Sequence, residues 1–215
     1  MTAMLWQPYP ERILETPLGQ LEIEVYRPSG FQVVMGAGGK PDLEVDAEML
    51  TRRGVPLFKR KGGGGTVLLG PNTIVVTVHA GVVFPFANLS YFGAINRALI
   101  EVFRTWKDLD YRPRGISDIA VGDRKLVGSS IYRRKQYLLY QASLLVDLDM
   151  ALLQLLIKHP PKEPDYRLGR SHAQFLTSFR EWGIELEASE MTGSLRSLLP
   201  DLVRRELDWI EAKGA

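Results

Sequence analysis

"FKRKGGGGTVLLGPNTIVVTV", residues 58–78, runs three cations into four glycines and then into β-branched apolar sequence. Consecutive glycines let backbone N–H groups turn toward an anion with no side chain in the way. Lys59, Arg60 and Lys61 add positive charge beside that cradle. The segment is not a P-loop, because there the lysine follows the glycines and here the cations precede them. A loose hairpin turn accounts for four glycines equally well. The neighbouring segments have to decide.

Upstream, "LEIEVYR" (21–27) alternates apolar and acidic residues and reads as a half-buried strand. "FQVVM" (31–35) follows the turn signal "PSG", which predicts a hairpin between the two. "PDLEVDAEMLTRRG" (41–54) reads as one short helix, with proline near its start and Gly54 past its end. Downstream, "NTIVVTVHAG" (72–81) is a strand. "SYFGAINRALIEVFRTWKDLD" (90–110) places Phe92, Ile95, Leu99, Val102, Phe103 and Trp106 on one helical face, with Ser90 as N-cap.

"SDIAV", "RKLVGSSIYRR" and "YQASLLVDL" read as three strands, the first two joined by a tight Gly122-Asp123 turn. "DMALLQLLIKH" is a helix ended by a proline-rich loop. "SHAQFLTSFREWG" reads as a further helix, capped by Ser171 and stopped by Gly183. The last segment is helical, with a kink expected near Pro200. Runs of strands with helices beside them predict an α+β fold with a mixed, largely antiparallel sheet.

Composition narrows the chemistry. The chain has 215 residues, 45% hydrophobic and 24% charged, as in a globular domain. The net charge of +2 makes any anion site local and gives no reason to expect nucleic acid as partner. Cysteine is absent, which excludes disulfides, thiolate-held metals and cysteine nucleophiles. His79, His159 and His172 lack metal-ligand spacing and read as surface or capping residues. The first 15 residues do not read as a signal peptide, and no apolar run approaches the roughly 20 residues of a membrane span. A cytoplasmic protein with no membrane attachment is the expectation.

The second informative segment is "GISDIAVGDRKLVGSSIYRR" (115–134). Lys125 stands just past a turn, where a lone lysine is ordinarily a solvated edge residue. Alternation places it on the face of Val127 and turns Arg124 to the other side. The small residues Gly128, Ser129 and Ser130 leave room for a ligand near the backbone.

Together, "VVMGAGGKPDLEVDAEMLTRRGVPLFKRKGGGGTV", "SDIAVGDRKLVGSS" and "YQASLLVDLDMALL" resemble the lipoate–protein ligase branch of the biotin/lipoate protein ligase family. The likeness spans residues 33–150. It implies the family's class II aminoacyl-tRNA synthetase-like catalytic fold, in one domain over 1–215 with no C-terminal accessory domain. It implies activation of lipoate or octanoate with ATP and Mg²⁺ to an acyl-adenylate, then transfer to a lysine of a lipoyl carrier protein. The carrier would be a 2-oxoacid dehydrogenase subunit or a glycine-cleavage H-type protein.

Residue by residue, the family's catalytic lysine falls on Lys125, and its phosphate- and carboxyl-facing arginine on Arg60, beside Lys61. Gly63, Gly64 and Gly65 would line the adenylate, and Val67 and Leu68 would wall the acyl tunnel. Asn72, Asp118, Gly128, Ser129 and Ser130 complete the substrate contacts, with Asp118 also a ligand for Mg²⁺.

Several family positions differ. Leu69-Gly70 replaces His-Asp, Ser117 replaces Asn, and Leu139-Tyr140-Gln141-Ala142 stands at the His-His-Gly strand. The family's N-terminal helix is not recognisable in residues 1–20. These differences leave two other readings: a non-catalytic member that binds lipoate or its adenylate, or one subunit of a two-part ligase with a separate accessory polypeptide. The octanoyltransferase mechanism requires a cysteine and is closed. The glycine loop and "GSSIY" do not match the biotin-ligase pattern. "PDYRLGRSH" (164–172) either closes over the ligand or joins two helices, and the connection is the simpler reading.

Overall fold

The computed structural model describes residues 4–5 and 16–214. The segments read for a signal peptide and an N-terminal helix lie mostly outside them. In chain order the elements are β1 (Met4–Leu5), β2 (Leu21–Tyr26), β3 (Gln32–Met35), α1 (Pro41–Glu44), α2 (Ala47–Arg53), β4 (Leu57–Lys59), β5 (Val67–Leu69) and β6 (Thr73–Gly81). Then follow α3 (Asn88–Trp106), β7 (Tyr111–Arg114), β8 (Asp118–Val121), β9 (Arg124–Arg134), β10 (Tyr137–Leu145), α4 (Met150–Leu156), α5 (His172–Phe175) and α6 (Ala188–Lys213).

A six-stranded sheet has the order β2-β6-β10-β9-β8-β7, and every pair in it is antiparallel. A four-stranded mixed sheet has the order β1-β4-β3-β5. The fold is α+β, as the strand and helix runs predict.

One face of the large sheet carries the main core. Ile74, Val76 and Val78 from β6 and Leu138, Tyr140, Ala142 and Leu144 from β10 meet the apolar faces of α3 and α6. Phe103 is fully buried there, with ring centroids 5.0 Å from Phe179 and 5.6 Å from Tyr111. A second core joins Val33, Met35, Leu57 and Leu68 of the small sheet to Leu50 of α2 and Leu153 and Leu156 of α4.

Five local expectations are corrected. β2 and β3 form no hairpin: β2 pairs with β6 and β3 lies between β4 and β5. The alternating β2 suits a sheet edge. The wholly apolar Val33-Val34-Met35 needs cover on both faces and takes an inner position.

The helix expected over 41–54 is broken at Val45, which bridges to Ile157, while the Asp46 side chain caps α2 at the Met49 N–H. In α3 the helix begins at Asn88, so Ser90 lies inside it and the N-cap position is Ala87. "SHAQFLTSFREWG" is not one helix: α5 ends where Leu176 and Thr177 extend to pair with Lys125, and a short 3-10 turn at Arg180–Trp182 follows. Pro200, where a kink is expected, lies inside α6. His79 is buried inside β6, with Nδ1 2.7 Å from the Tyr137 hydroxyl, rather than at the surface.

Removing the Phe103 ring should expose the cost of this core. Phe103→Ala is expected to lower unfolding free energy by about 3–5 kcal/mol in urea titration. A loss below about 1 kcal/mol would show that the aromatic cluster is not where the main core is anchored.

Candidate active site

Lys125 sits at a fault in the β-ladder. Ile119 pairs with Val127 but Ala120 pairs with Lys125, so Leu126 is one residue too many and forms a bulge. The bulge reverses the parity of the strand. Leu126 and Val127 both enter the main core, while Lys125 turns to the opposite face. That face holds Asp118, which lies directly opposite Gly128.

Lys125 Nζ is 2.8 Å from Asp118 Oδ1, and the Asp118 side chain is only 6% exposed. The lysine stem lies over Gly128, where an added Cβ would fall 2.8 Å from both Cε and Nζ. Lys125 therefore does not share a face with Val127, as plain alternation predicts. Gly128 is there because the lysine occupies the space of a side chain.

The same parity separates the serines. Ser130 is buried on the lysine's face. Ser129 pairs with Ala142 of the core face, and its hydroxyl donates to the Ser117 carbonyl at 2.6 Å. Ser129 thus fastens β9 to the turn before β8 and does not open space for a ligand. Beside Gly128 and Ser130, the ladder places Ser143, Gln141 and Thr77, all buried. The large sheet offers a floor of small and polar residues on the side away from its core. Gln141 and Ser143 were legible as the polar residues at alternate positions in "YLLYQASLL", although the resemblance gave them no role.

The glycine loop crosses this floor. A Cβ on Gly62 would meet Ser130 Oγ at 2.8 Å, and one on Gly36 would meet the Gly64 carbonyl oxygen at 2.0 Å. Only glycines let the loop pass between β3 and β9 at these separations. Its carbonyls are held from inside. Ala37 N–H donates to the Gly62 carbonyl at 2.9 Å. Arg60 donates from Nε and Nη2 to Gly63 at 3.2 and 2.7 Å, from Nη2 to Gly65 at 2.8 Å and from Nη1 to Val34 at 3.3 Å.

Burial pushes the Arg60 guanidinium down to about 10, so it remains a cation at neutral pH. Thr66 donates to Glu44 Oε2 at 2.5 Å and closes the loop's far end. With the carbonyls tied inward, the exposed glycines 63–65 have N–H groups that donate to no partner among the described residues. Arg60 therefore stands beneath the cradle and shapes it, where a phosphate-facing side chain was expected. The outward cation is Lys61, which lies 5.8 Å from the centre of the Tyr132 ring.

Other expected residues are more dispersed. Val67 and Leu68 are strand neighbours and point oppositely: Leu68 fills the second core, while Val67 is half-buried near Val34 and Val75. They cannot wall one tunnel together. Asn72 is exposed in the β5–β6 turn, past the end of β5 remote from the glycines. Asp118 has both oxygens engaged, Oδ1 by Lys125 and Oδ2 by the Tyr166 hydroxyl at 2.9 Å. Among the described residues no group of three or more His, Cys, Asp or Glu side chains could hold a metal ion. To ligate Mg²⁺, Asp118 would have to release one of these two partners.

The glycine loop thus seats on Ser130, two residues along β9 from the Gly128 that receives the Lys125 stem. Residues 29–195 match the model of the lipoyl protein ligase A/B catalytic domain. The chain belongs to that family.

Among its relatives, lipoate-protein ligase A subunit 1 of Thermoplasma acidophilum is 23% identical over 175 residues, which cover 76% of this chain and 65% of that protein. The chain thus spans about two thirds of the length of this curated relative. A T. acidophilum protein solved with bound lipoic acid superposes with a TM-score of 0.72 at 20% identity, covering 97% of this chain and 95% of that one. A lipoate-protein ligase A bound with ATP gives 0.71 at 21% identity, covering 88% and 82%. At these identities the two structures establish a shared fold. No helix among the described residues is long and apolar enough to cross a membrane.

If Arg60 shapes the cradle, Arg60→Lys should weaken ATP binding at least tenfold in titration calorimetry, because a compact ammonium cannot span carbonyls that the guanidinium fork reaches from three separate nitrogens. Unchanged affinity would mean that the loop keeps its form without the guanidinium fork.

Proposed function

We propose that the chain is the catalytic part of a lipoate–protein ligase, with lipoate or octanoate and ATP as substrates. The observation that carries this reading is the approach of the glycine loop to Ser130, two residues along β9 from the Gly128 that receives the stem of Lys125, itself paired with Asp118. Family membership and the lipoate- and ATP-bound proteins of the same fold support it.

In the first step a carboxylate oxygen of the acid attacks the α-phosphorus of ATP, and pyrophosphate leaves. The product is an acyl-adenylate. In the second, the amine of a carrier lysine attacks the acyl carbonyl; an amide forms, AMP leaves, and the amine sheds a proton. Both steps build negative charge between the acyl carbonyl and the phosphate. Lys125 is a compact cation placed to meet that charge. The glycine N–H groups receive phosphate oxygens, and Lys61 adds charge at the rim. Any Mg²⁺ arrives as a counter-ion of ATP.

A lipoyl carrier domain is the acceptor, and a separate accessory polypeptide works beside the single catalytic domain of 1–215. The similarity to a ligase named as subunit 1 favours this two-part reading over a self-sufficient enzyme. The bulge-placed lysine favours a catalytic role over binding alone.

Supplied with preformed lipoyl-AMP and an apo-lipoyl domain, the Lys125→Ala protein should transfer the acyl group 10²–10³-fold more slowly than wild type. Lys125→Arg should also fail, since a planar fork does not replace an ammonium seated over Gly128. Near-normal transfer by Lys125→Ala, followed by mass spectrometry of the carrier, would remove the ligase assignment from this hairpin.

A further inference from the structure

The segment 164–172 reads in sequence as a simple connection, yet with Leu176 and Thr177 it holds the lysine hairpin through four residues. Thr177 N–H donates to the Lys125 carbonyl at 2.9 Å. The Leu176 carbonyl accepts from Arg124 Nε and Nη2 at 3.1 and 2.5 Å. Arg170 grips the hairpin turn, through Asp123 Oδ2 and the Asp123 carbonyl, both at 2.9 Å. Tyr166 reaches further in and donates to Asp118.

The Tyr166 ring is itself held in place. It lies 5.1 Å from the Phe175 ring and 5.6 Å from the Arg114 guanidinium, centre to centre. Arg170 Nη2 donates to its carbonyl at 2.7 Å. Burial, and next the charge of Asp118, hold the phenol well above its ordinary range, so it stays protonated and donating.

Asp118 needs this partner. Its carboxylate is buried, and a carboxylate with one oxygen free can rotate and carry the lysine with it. The carbonyl of Ser117, the residue before this aspartate, is taken by Ser129. We propose that Tyr166 is a positioning residue for acyl transfer: its hydroxyl fixes Asp118, and Asp118 thereby fixes the ammonium of Lys125 over Gly128. The strap from 164 to 177 is thus part of the active site. The proposal rests on the acyl-transfer reading of Lys125.

Tyr166→Phe removes one oxygen and keeps the ring contacts, so the protein should still fold, with its unfolding midpoint lowered by no more than the loss of one buried hydrogen bond. Two readouts separate the proposal from the reading beneath it. With preformed lipoyl-AMP, kcat for transfer should fall at least tenfold while KM for the carrier stays within twofold. In the ligand-free protein, acetylation of Lys125 by an N-hydroxysuccinimide ester, followed by peptide mass spectrometry, should run at least threefold faster. Asp118→Asn should reproduce both effects, and the double variant should be no worse than Asp118→Asn alone.

An active Tyr166→Phe protein with kcat within twofold of wild type overturns the proposal. So does unchanged labelling, or a double variant whose losses multiply. If the wild-type protein transfers nothing, the ligase reading fails. The labelling then decides the Tyr166 proposal alone.

Discussion

The ion pair between Lys125 and Asp118 is the interaction on which the site's geometry depends. A lysine on a strand edge has a flexible stem and usually lies in solvent. Here three constraints remove that freedom. The bulge at Leu126 turns the side chain to the polar face, Gly128 gives its stem a place to lie, and Asp118 takes its charge. The bulge costs a regular ladder position but satisfies both faces at once. Leu126 and Val127 enter the core, and the cation is kept out of it.

The glycine loop follows the same logic from the other sheet. Its glycines serve two ends, close passage over Gly36 and Ser130 and an exposed backbone at 63–65 whose N–H groups have no partner among the described residues. An exposed run of glycine would by itself be too mobile to hold an anion well, since its conformational freedom must be lost on binding. Arg60 removes much of that cost in advance by fixing the carbonyls of Gly63 and Gly65. The two cores place these parts: one holds the large sheet under the lysine, and the other holds the small sheet that delivers the loop.

Much of this was legible in the sequence. Five of the six strands of the large sheet, the Gly122-Asp123 turn and the buried face of α3 follow from periodicity and turn chemistry, which are local; the edge strand β7 was not read. The family likeness rests on segments that meet in space, which is why two weak motifs together outweighed their bland readings. What could not be read was non-local. Alternation put Lys125 beside Val127 because a one-residue bulge leaves no mark in "DRKLVGSS". Arg60 looked like an outward cation because the carbonyls that claim it belong to a loop three to five residues on and to β3. The helix predicted from Ser171 stops early because Thr177 finds a strand partner some fifty residues back, at Lys125. Tyr166 carried only its place in a cation-rich connection.

The most direct measurement is a crystal structure of the protein with a non-hydrolysable lipoyl-adenylate analogue. The account predicts the analogue's phosphate against the N–H groups of Gly63–Gly65 and its acyl carbonyl within hydrogen-bond distance of Lys125 Nζ. An analogue bound elsewhere, or one lying in the site with Lys125 turned out to solvent, would contradict it.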